Sequence, residues 1–210
     1  MIRPFGEAAF LVEVPDAARA QAVARRLRER PPRGVADAVP GRRSVLVEVD
    51  PLSPHIANIP EALERLAATA SDELPEGRLH EIPVRYGGAG GPDLGDVARL
   101  ASISTEEVIR RHAAAEMRVL FLGFAPGFAY LGGLDADLSV VPRLASPRTR
   151  VPAGSVAIAD GMSGIYPADL PGGWRIIGQT SVALFDPSQD PPSVLLPGDR
   201  VRFTAITEPP

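Results

Sequence analysis

The residues best suited to chemistry cluster between positions 121 and 180. The run FLGFAPGFAYL, from Phe121 to Leu131, interleaves aromatics with glycine and proline. Glycine lets a backbone approach a ligand closely, proline fixes a turn, and aromatic faces wall a flat molecule. Phe124, Pro126, Gly127, Phe128 and Tyr130 are therefore candidate substrate-binding residues, although a strand end packed with core aromatics would use the same string. The run PRTRVPAG follows, starting at Pro147. On an extended strand Arg148 and Arg150 point to one side and Thr149 to the other. Two co-directed guanidinium groups suit a carboxylate or a phosphate, with a solvated strand face as the alternative. Arg148 is a candidate catalytic group and Arg150 a candidate substrate anchor.

Further along, Gly172 and Gly173 precede Trp174, the only tryptophan. Amides exposed at such a glycine pair can donate to an anion. Ser163, Tyr166, Gln179 and Thr180 add neutral hydrogen-bonding groups. Gly172, Gly173, Trp174, Ser163, Tyr166 and Thr180 thus join the candidate substrate-binding set; tight barrel turns with Trp174 as a core plug are the competing explanation. His112 is the candidate general base, since an imidazole titrates near neutral pH. It follows Arg110 and Arg111 on an expected helix, where a packing histidine is the alternative.

What the chain lacks narrows the chemistry. All 22 basic residues are arginine, with no lysine and no cysteine. A Walker-type phosphate loop needs a lysine after its glycines, a Schiff base needs an amine, and biotin is carried on lysine. A thiol nucleophile and a disulfide framework are equally excluded, which suits a cytoplasmic location. No Gly-x-Ser-x-Gly elbow occurs. His55, His80 and His112 are too few for a multi-histidine metal site, so no metal is expected. The net charge of −4 argues against a nucleic-acid partner, and no apolar run approaches the roughly 18 residues a membrane span needs. The N-terminus does not read as a signal peptide. The chain therefore carries pocket-like material without a self-contained catalytic set, as expected of a subunit that shares a site with a partner.

The elements that must position these groups read in two parts. Ala8–Val14 is strand-like; Asp16 caps a helix from Ala17 to about Arg30, with Ala20, Val23, Ala24 and Leu27 on one face. Val35–Val39 and Arg43–Asp50 flank a turn at Pro40-Gly41, a second helix runs from about Pro60 to Ala70, and Leu79–Val84 is a further strand. The order β-α-β-β-α-β predicts a small two-layer, ferredoxin-like domain over residues 1–84. A glycine-rich loop at 87–92 and two short helices follow, the second opened by a capping box from Ser104 to Glu107. Residues 85–210 then carry short strands at Val119–Phe124, Ser155–Ala159, Trp174–Gly178, Val182–Phe185 and Arg200–Ala205. Each is bounded by proline or glycine, which predicts a β-barrel or sandwich. The fold class is α+β.

Several long strings in register resemble one family. FLGFAPGFAYLGGLD, SPRTRVPAGSVAIA, SGIYPADLPGGWRIIGQT, LFDP and LPGDRVRF, together with FGEAAFLVEV, IPVRYGG and STEEVIRRHA, are similar to the KipI or allophanate-hydrolase-subunit-1 family over nearly the whole chain. The resemblance implies an N-terminal α/β domain joined to a cyclophilin-like barrel. The family's 5-oxoprolinase members work with a KipA-like subunit and a LamB/YcsF-like subunit, and open 5-oxoproline to glutamate at the expense of ATP. Other members inhibit a sensor histidine kinase or belong to urea carboxylase and allophanate hydrolase systems. The resemblance thus implies a small-molecule substrate, ATP used by the complex, and partner subunits. The chain departs from the family at Met162-Ser163, where Gln-Thr is common, at Gln179, where arginine is common, and at Arg85, where cysteine is frequent.

Overall fold

A computed structural model describes residues 1–69 and 77–207. The chain divides into two compact units, Met1–Glu76 and Gly77–Pro210.

In the first unit, strands β1 (Ile2–Pro4), β2 (Ala9–Glu13), β3 (Val35–Pro40) and β4 (Ser44–Val49) form one antiparallel sheet in the order β1-β2-β4-β3. Helices α1 (Ala17–Glu29) and α2 (Ile59–Thr69) accompany it. The Asp16 side chain accepts from the Arg19 amide at 2.8 Å, which starts α1. The three-and-four spacing then turns Ala20, Val23, Ala24 and Leu27 into a core shared with Val45, Val47 and Leu63. The Gly41 amide closes the β3–β4 turn on the Ser44 carbonyl at 2.7 Å. Ala70, the expected end of the second helix, lies outside the described residues.

The expected β-α-β-β-α-β order does not hold for this unit. The strand meant to complete it, β5 (Leu79–Tyr86), belongs to the second unit, and Ile2–Pro4 takes the edge beside β2. The reason lies in the pairing: β5 lies parallel to β13 (Arg200–Ala205) over six register pairs, from Leu79 with Arg200 to Val84 with Ala205. A local apolar pattern specifies a strand but not its partner.

The second unit adds α3 (Leu94–Ala101), α4 (Thr105–Ala114), β6 (Glu116–Leu122), β7 (Ala129–Gly132), α5 (Ala136–Ser139), β8 (Arg148–Val151), β9 (Ser155–Ala159), β10 (Met162–Ile165), β11 (Leu170–Gly172) and β12 (Arg175–Gln179). Seven strands close into a barrel in the order β10-β7-β6-β13-β5-β12-β9, with β9–β10 pairing sealing it. Closure removes the exposed edges that so many short strands would otherwise leave. Strands β8 and β11 form a separate two-stranded ribbon. Val84, Met117, Val119, Leu131, Ile158, Ile177 and Phe203 fill the core. The Ser104 hydroxyl accepts from the Glu107 amide at 3.1 Å and caps α4 as expected, while the Glu107 carboxylate bonds Arg110 and Arg111 instead of closing a box.

Val182–Phe185 is not a strand. The Val182 amide donates to the Thr180 hydroxyl at 3.2 Å, so it turns back locally instead of joining a ladder, and Phe185 makes only an isolated bridge with Ser193. The glycine-rich loop folds into one 3₁₀ turn, Gly88–Gly90, fixed by Gly87 N–H to Ile177 at 3.0 Å and Gly91 N–H to Gly88 at 3.3 Å.

Candidate functional site

His112 is fully buried on α4. Its Nδ1 lies 2.7 Å from the Tyr86 hydroxyl and its Nε2 lies 2.9 Å from Ser163 Oγ. Ser163 in turn donates to the Ala157 carbonyl at 3.2 Å. Because a carbonyl can only accept, the Ser163 proton goes to Ala157, and the tautomer consistent with it has Nε2–H donating to Ser163 and Tyr86 O–H donating to Nδ1. Every donor is spent. The ring stacks on Phe203 with centroids 4.5 Å apart, and burial pushes its pKa down to about 3. Burial also raises the Tyr86 hydroxyl. His112 is therefore a neutral tie between α4 and the barrel, with its lone pair occupied and no path to solvent, in place of the expected general base. Ser163, equally buried, is a link in the same chain and not a substrate contact.

The two candidate arginines do not act as a pair. Arg148 donates through Nη2 to Asp93 Oδ1 at 2.7 Å. Asp93 is buried, and its other oxygen accepts from the Ile176 amide at 2.7 Å, so β12 itself anchors the carboxylate. Arg148 is thus held rigidly with about a third of its side chain still exposed. Arg150 instead forms an exposed pair with Asp169, whose other oxygen accepts from the Ala153 amide. Each arginine answers to its own carboxylate, which strand alternation alone did not reveal.

The aromatics do converge. Phe128, Tyr166 and Trp174 are buried together, with Phe128 5.3 Å from Tyr166 and 5.7 Å from Trp174, edge to face. Tyr130 stacks on Phe121 at 4.4 Å and meets Trp174 at 5.6 Å. Above this floor stands Phe124, with 58% of its surface exposed and φ at 70°. The Ala125 amide donates to the Gly123 carbonyl at 2.8 Å across it, so Phe124 occupies the centre of a γ-turn with positive φ. That conformation is strained for a side chain of this size, and it presents the ring outward over Phe128 and Tyr166. Gly172 is required beneath: a Cβ there would stand 2.1 Å from the Tyr166 hydroxyl oxygen. Gly173 stands beside Pro147, and its carbonyl accepts from the Leu144 amide. Pro126 is exposed and Gly127 buried in the same turn as Phe124.

Burial raises the pKa of the Tyr166 hydroxyl, against the opposing effect of the Trp174 backbone and the charges of Arg143 and Arg148. Burial also raises Tyr130, against Arg143. The guanidinium carbon of Arg143 lies 6.0 Å from the Trp174 ring centroid. The accessible face therefore comprises Phe124, Tyr130, Arg143 and Arg148 over an aromatic floor. At neutral pH it offers a protonated phenol and two guanidinium groups, which can hold a carbonyl or carboxylate oxygen and stabilise charge that develops on it. Arg143 is itself paired through Nε with the exposed Asp160 carboxylate at 2.7 Å, so the charges here form two arginine–aspartate pairs, Arg148 with Asp93 and Arg143 with Asp160. Among the described residues, no three His, Asp or Glu side chains come together as a metal-ligand group. Thr180 lies elsewhere, in a cavity of about 460 Å³ lined also by Arg85, Gly154 and Gln179. Sequence reasoning missed Asp93, Tyr86 and Arg143, and noted Arg85 only as a departure from the family. Of the three missed, Asp93 left a signal, as a carboxylate ending a glycine-rich loop.

This combination defines a class first: a closed β-barrel domain with an accessible aromatic face flanked by two arginine–aspartate pairs. The chain belongs to the family described as the carboxyltransferase domain, subdomain C and D, whose model matches residues 1–195. It is 45% identical over 186 residues to the 5-oxoprolinase B subunit of Escherichia coli O157:H7, covering 89% of this chain and 84% of that protein. It is 40% identical over 208 residues to the 5-oxoprolinase B subunit of Haemophilus influenzae, covering 96% of each. A crystal structure of TTHA0988 superposes with a TM-score of 0.81 at 37% identity. That match covers all of this chain and 41% of the TTHA0988 chain, so the present chain spans less than half of that longer protein.

Proposed function

We propose that this chain is the B subunit of an ATP-dependent 5-oxoprolinase, working with a KipA-like subunit and a LamB/YcsF-like subunit to open 5-oxo-L-proline to L-glutamate. The observation that carries this reading is the match to proteins named as the 5-oxoprolinase B subunit at 40–45% identity over most of their length. The barrel, of the cyclophilin-like type in this reading, supplies the substrate-holding face. Arg148, steadied by Asp93, and Tyr130 bind oxygen atoms of the substrate; Phe124 and the aromatic floor exclude water from its ring. The lactam carbon becomes attackable only when negative charge on its oxygen is stabilised, and fixed cationic donors do that without reorganising. The face carries no lysine or cysteine nucleophile, and its carboxylates are held in ion pairs with Arg143 and Arg148, which supports an amidohydrolase site completed by a partner and a subunit inactive alone. ATP activates the lactam in the assembled enzyme. In the loop at 87–92 the Gly91 amide is spent on Gly88 and the Gly87 amide on Ile177, and the loop lacks a lysine, so no step with ATP is assigned to this chain. A cytoplasmic location belongs to the same reading. No described helix is long and apolar enough to cross a membrane.

The test is to co-express the chain with KipA-like and LamB/YcsF-like subunits and to measure ATP-dependent formation of glutamate from 5-oxoproline. The assembly is expected to be active and the isolated chain silent. A complete, correctly assembled complex that makes no glutamate overturns the proposal.

A further inference from the structure

Arg85 is the one charged side chain lining the 460 Å³ cavity, whose walls are otherwise Ala153, Gly154, Pro167, Gln179, Thr180, Ser181, Val182 and Ala183. It also lines a neighbouring cleft of about 610 Å³ with Tyr86, Gly87, Gly88, Ala89, Ile109, Ala205, Ile206 and Thr207. Among the described residues, neither lining contains an aspartate or glutamate. Arg85 is half-buried and has no carboxylate partner or hydrogen bond among the described residues, whereas Arg148, Arg150 and Arg175 in the same unit each have an aspartate. An arginine can lay its stem along the barrel and keep its head at a cavity wall, and a guanidinium with no counter-charge there is free to take an anion.

Neutral donors surround the same space. Gln179 is the cross-strand partner of Arg85 in the β12–β5 ladder. Thr180 is buried and its oxygen accepts from the Val182 amide at 3.2 Å, but its hydroxyl proton has no acceptor among the described residues. At Gly154, where φ is 78°, the wall comes so close that a Cβ would lie 2.1 Å from the Thr180 carbonyl oxygen, and the Thr180 amide donates to the Gly154 carbonyl at 2.9 Å. The geometry points to a binding site for a small oxyanion, a carboxylate or phosphate group, held by the Arg85 guanidinium with donation from Thr180. A planar guanidinium takes either group through two parallel bonds. The site shares no side chain with the face built on Phe124, Tyr130, Arg143 and Arg148, and the inference does not depend on the proposed reaction.

The isolated full chain tests it without any activity assay. Inorganic phosphate and acetate are titrated separately, with chloride at matched ionic strength as control, and followed by calorimetry and by the thermal unfolding midpoint. Saturable binding of either anion is expected, weakened about 10-fold or more in Arg85→Gln and clearly weakened in Thr180→Val, but unchanged in Arg150→Gln. A response to phosphate alone assigns a phosphoryl ligand, and a response to acetate alone assigns a carboxylate; both support the site. Arg85→Gln should unfold at the same midpoint as the parent without anions, because no internal contact is lost. Absence of saturable binding of both anions, or equal binding by the parent and Arg85→Gln, overturns the inference.

Discussion

Two polar groups adjoin Tyr86, and their circumstances are opposite. His112 is hydrogen-bonded to its hydroxyl inside the barrel, and every donor around the imidazole meets an acceptor. Arg85 precedes it on β5, faces the other way by strand alternation, and meets no counter-charge among the described residues. The histidine has the residue type associated with catalysis and a wholly structural setting. The arginine stands where the family frequently has cysteine and has the setting of a binding group. Satisfaction of hydrogen bonds and charge, more than residue type, separates the two.

The sharpest test of this contrast is His112→Ala, which leaves a cavity and orphans both Tyr86 and Ser163. It should cost about 3–5 kcal/mol of stability in urea titrations. A loss under about 1 kcal/mol would break the structural assignment. Asp93→Ala comes next, removing the acceptor of the Ile176 amide and the partner of Arg148; about 2–4 kcal/mol should be lost. In the assembled enzyme, Arg148→Ala should lower turnover strongly while the isolated subunit still folds.

The pH dependence has a definite sign and accumulates only in acid. Burial holds the His112 pKa near 3, below the ordinary 6.5, so between these values the unfolded chain binds a proton that the folded chain refuses. This contribution is complete above pH 6.5 and declines as pH falls toward 3, by up to about 1.4 kcal/mol per pH unit. Stability curves for the parent and His112→Phe should diverge only in that acid window; parallel curves would remove the imidazole from the cause. Arg150→Ala should change stability by less than about 0.5 kcal/mol, since its pair with Asp169 is exposed.

Much of the fold was legible because its signals are local. The Asp16 and Ser104 caps, the face of α1 and the turn at Gly41 all depend on residues within a few positions of one another. The fate of Leu79–Val84 was not legible, since its ladder partner is Arg200–Ala205, more than a hundred residues away. Strands β7, β10 and β11 escaped notice because they are short and interrupted by glycine, and acquire their extended form from neighbours. In the candidate site the aromatic string announced itself, while Asp93, Arg143 and Arg85 did not, because their roles are defined by what faces them across the fold.

The sequence by itself determined the family, the aromatic floor, and the exclusion of lysine- and cysteine-based chemistry, because composition and contiguous strings are properties of the chain alone. Tertiary structure alone decided that His112 is sealed and neutral, that Arg148 and Arg150 part company, and that Arg85 stands unpaired among the described residues. Each of these depends on desolvation and on partners distant in sequence, and burial and charge pairing exist only once the barrel has closed.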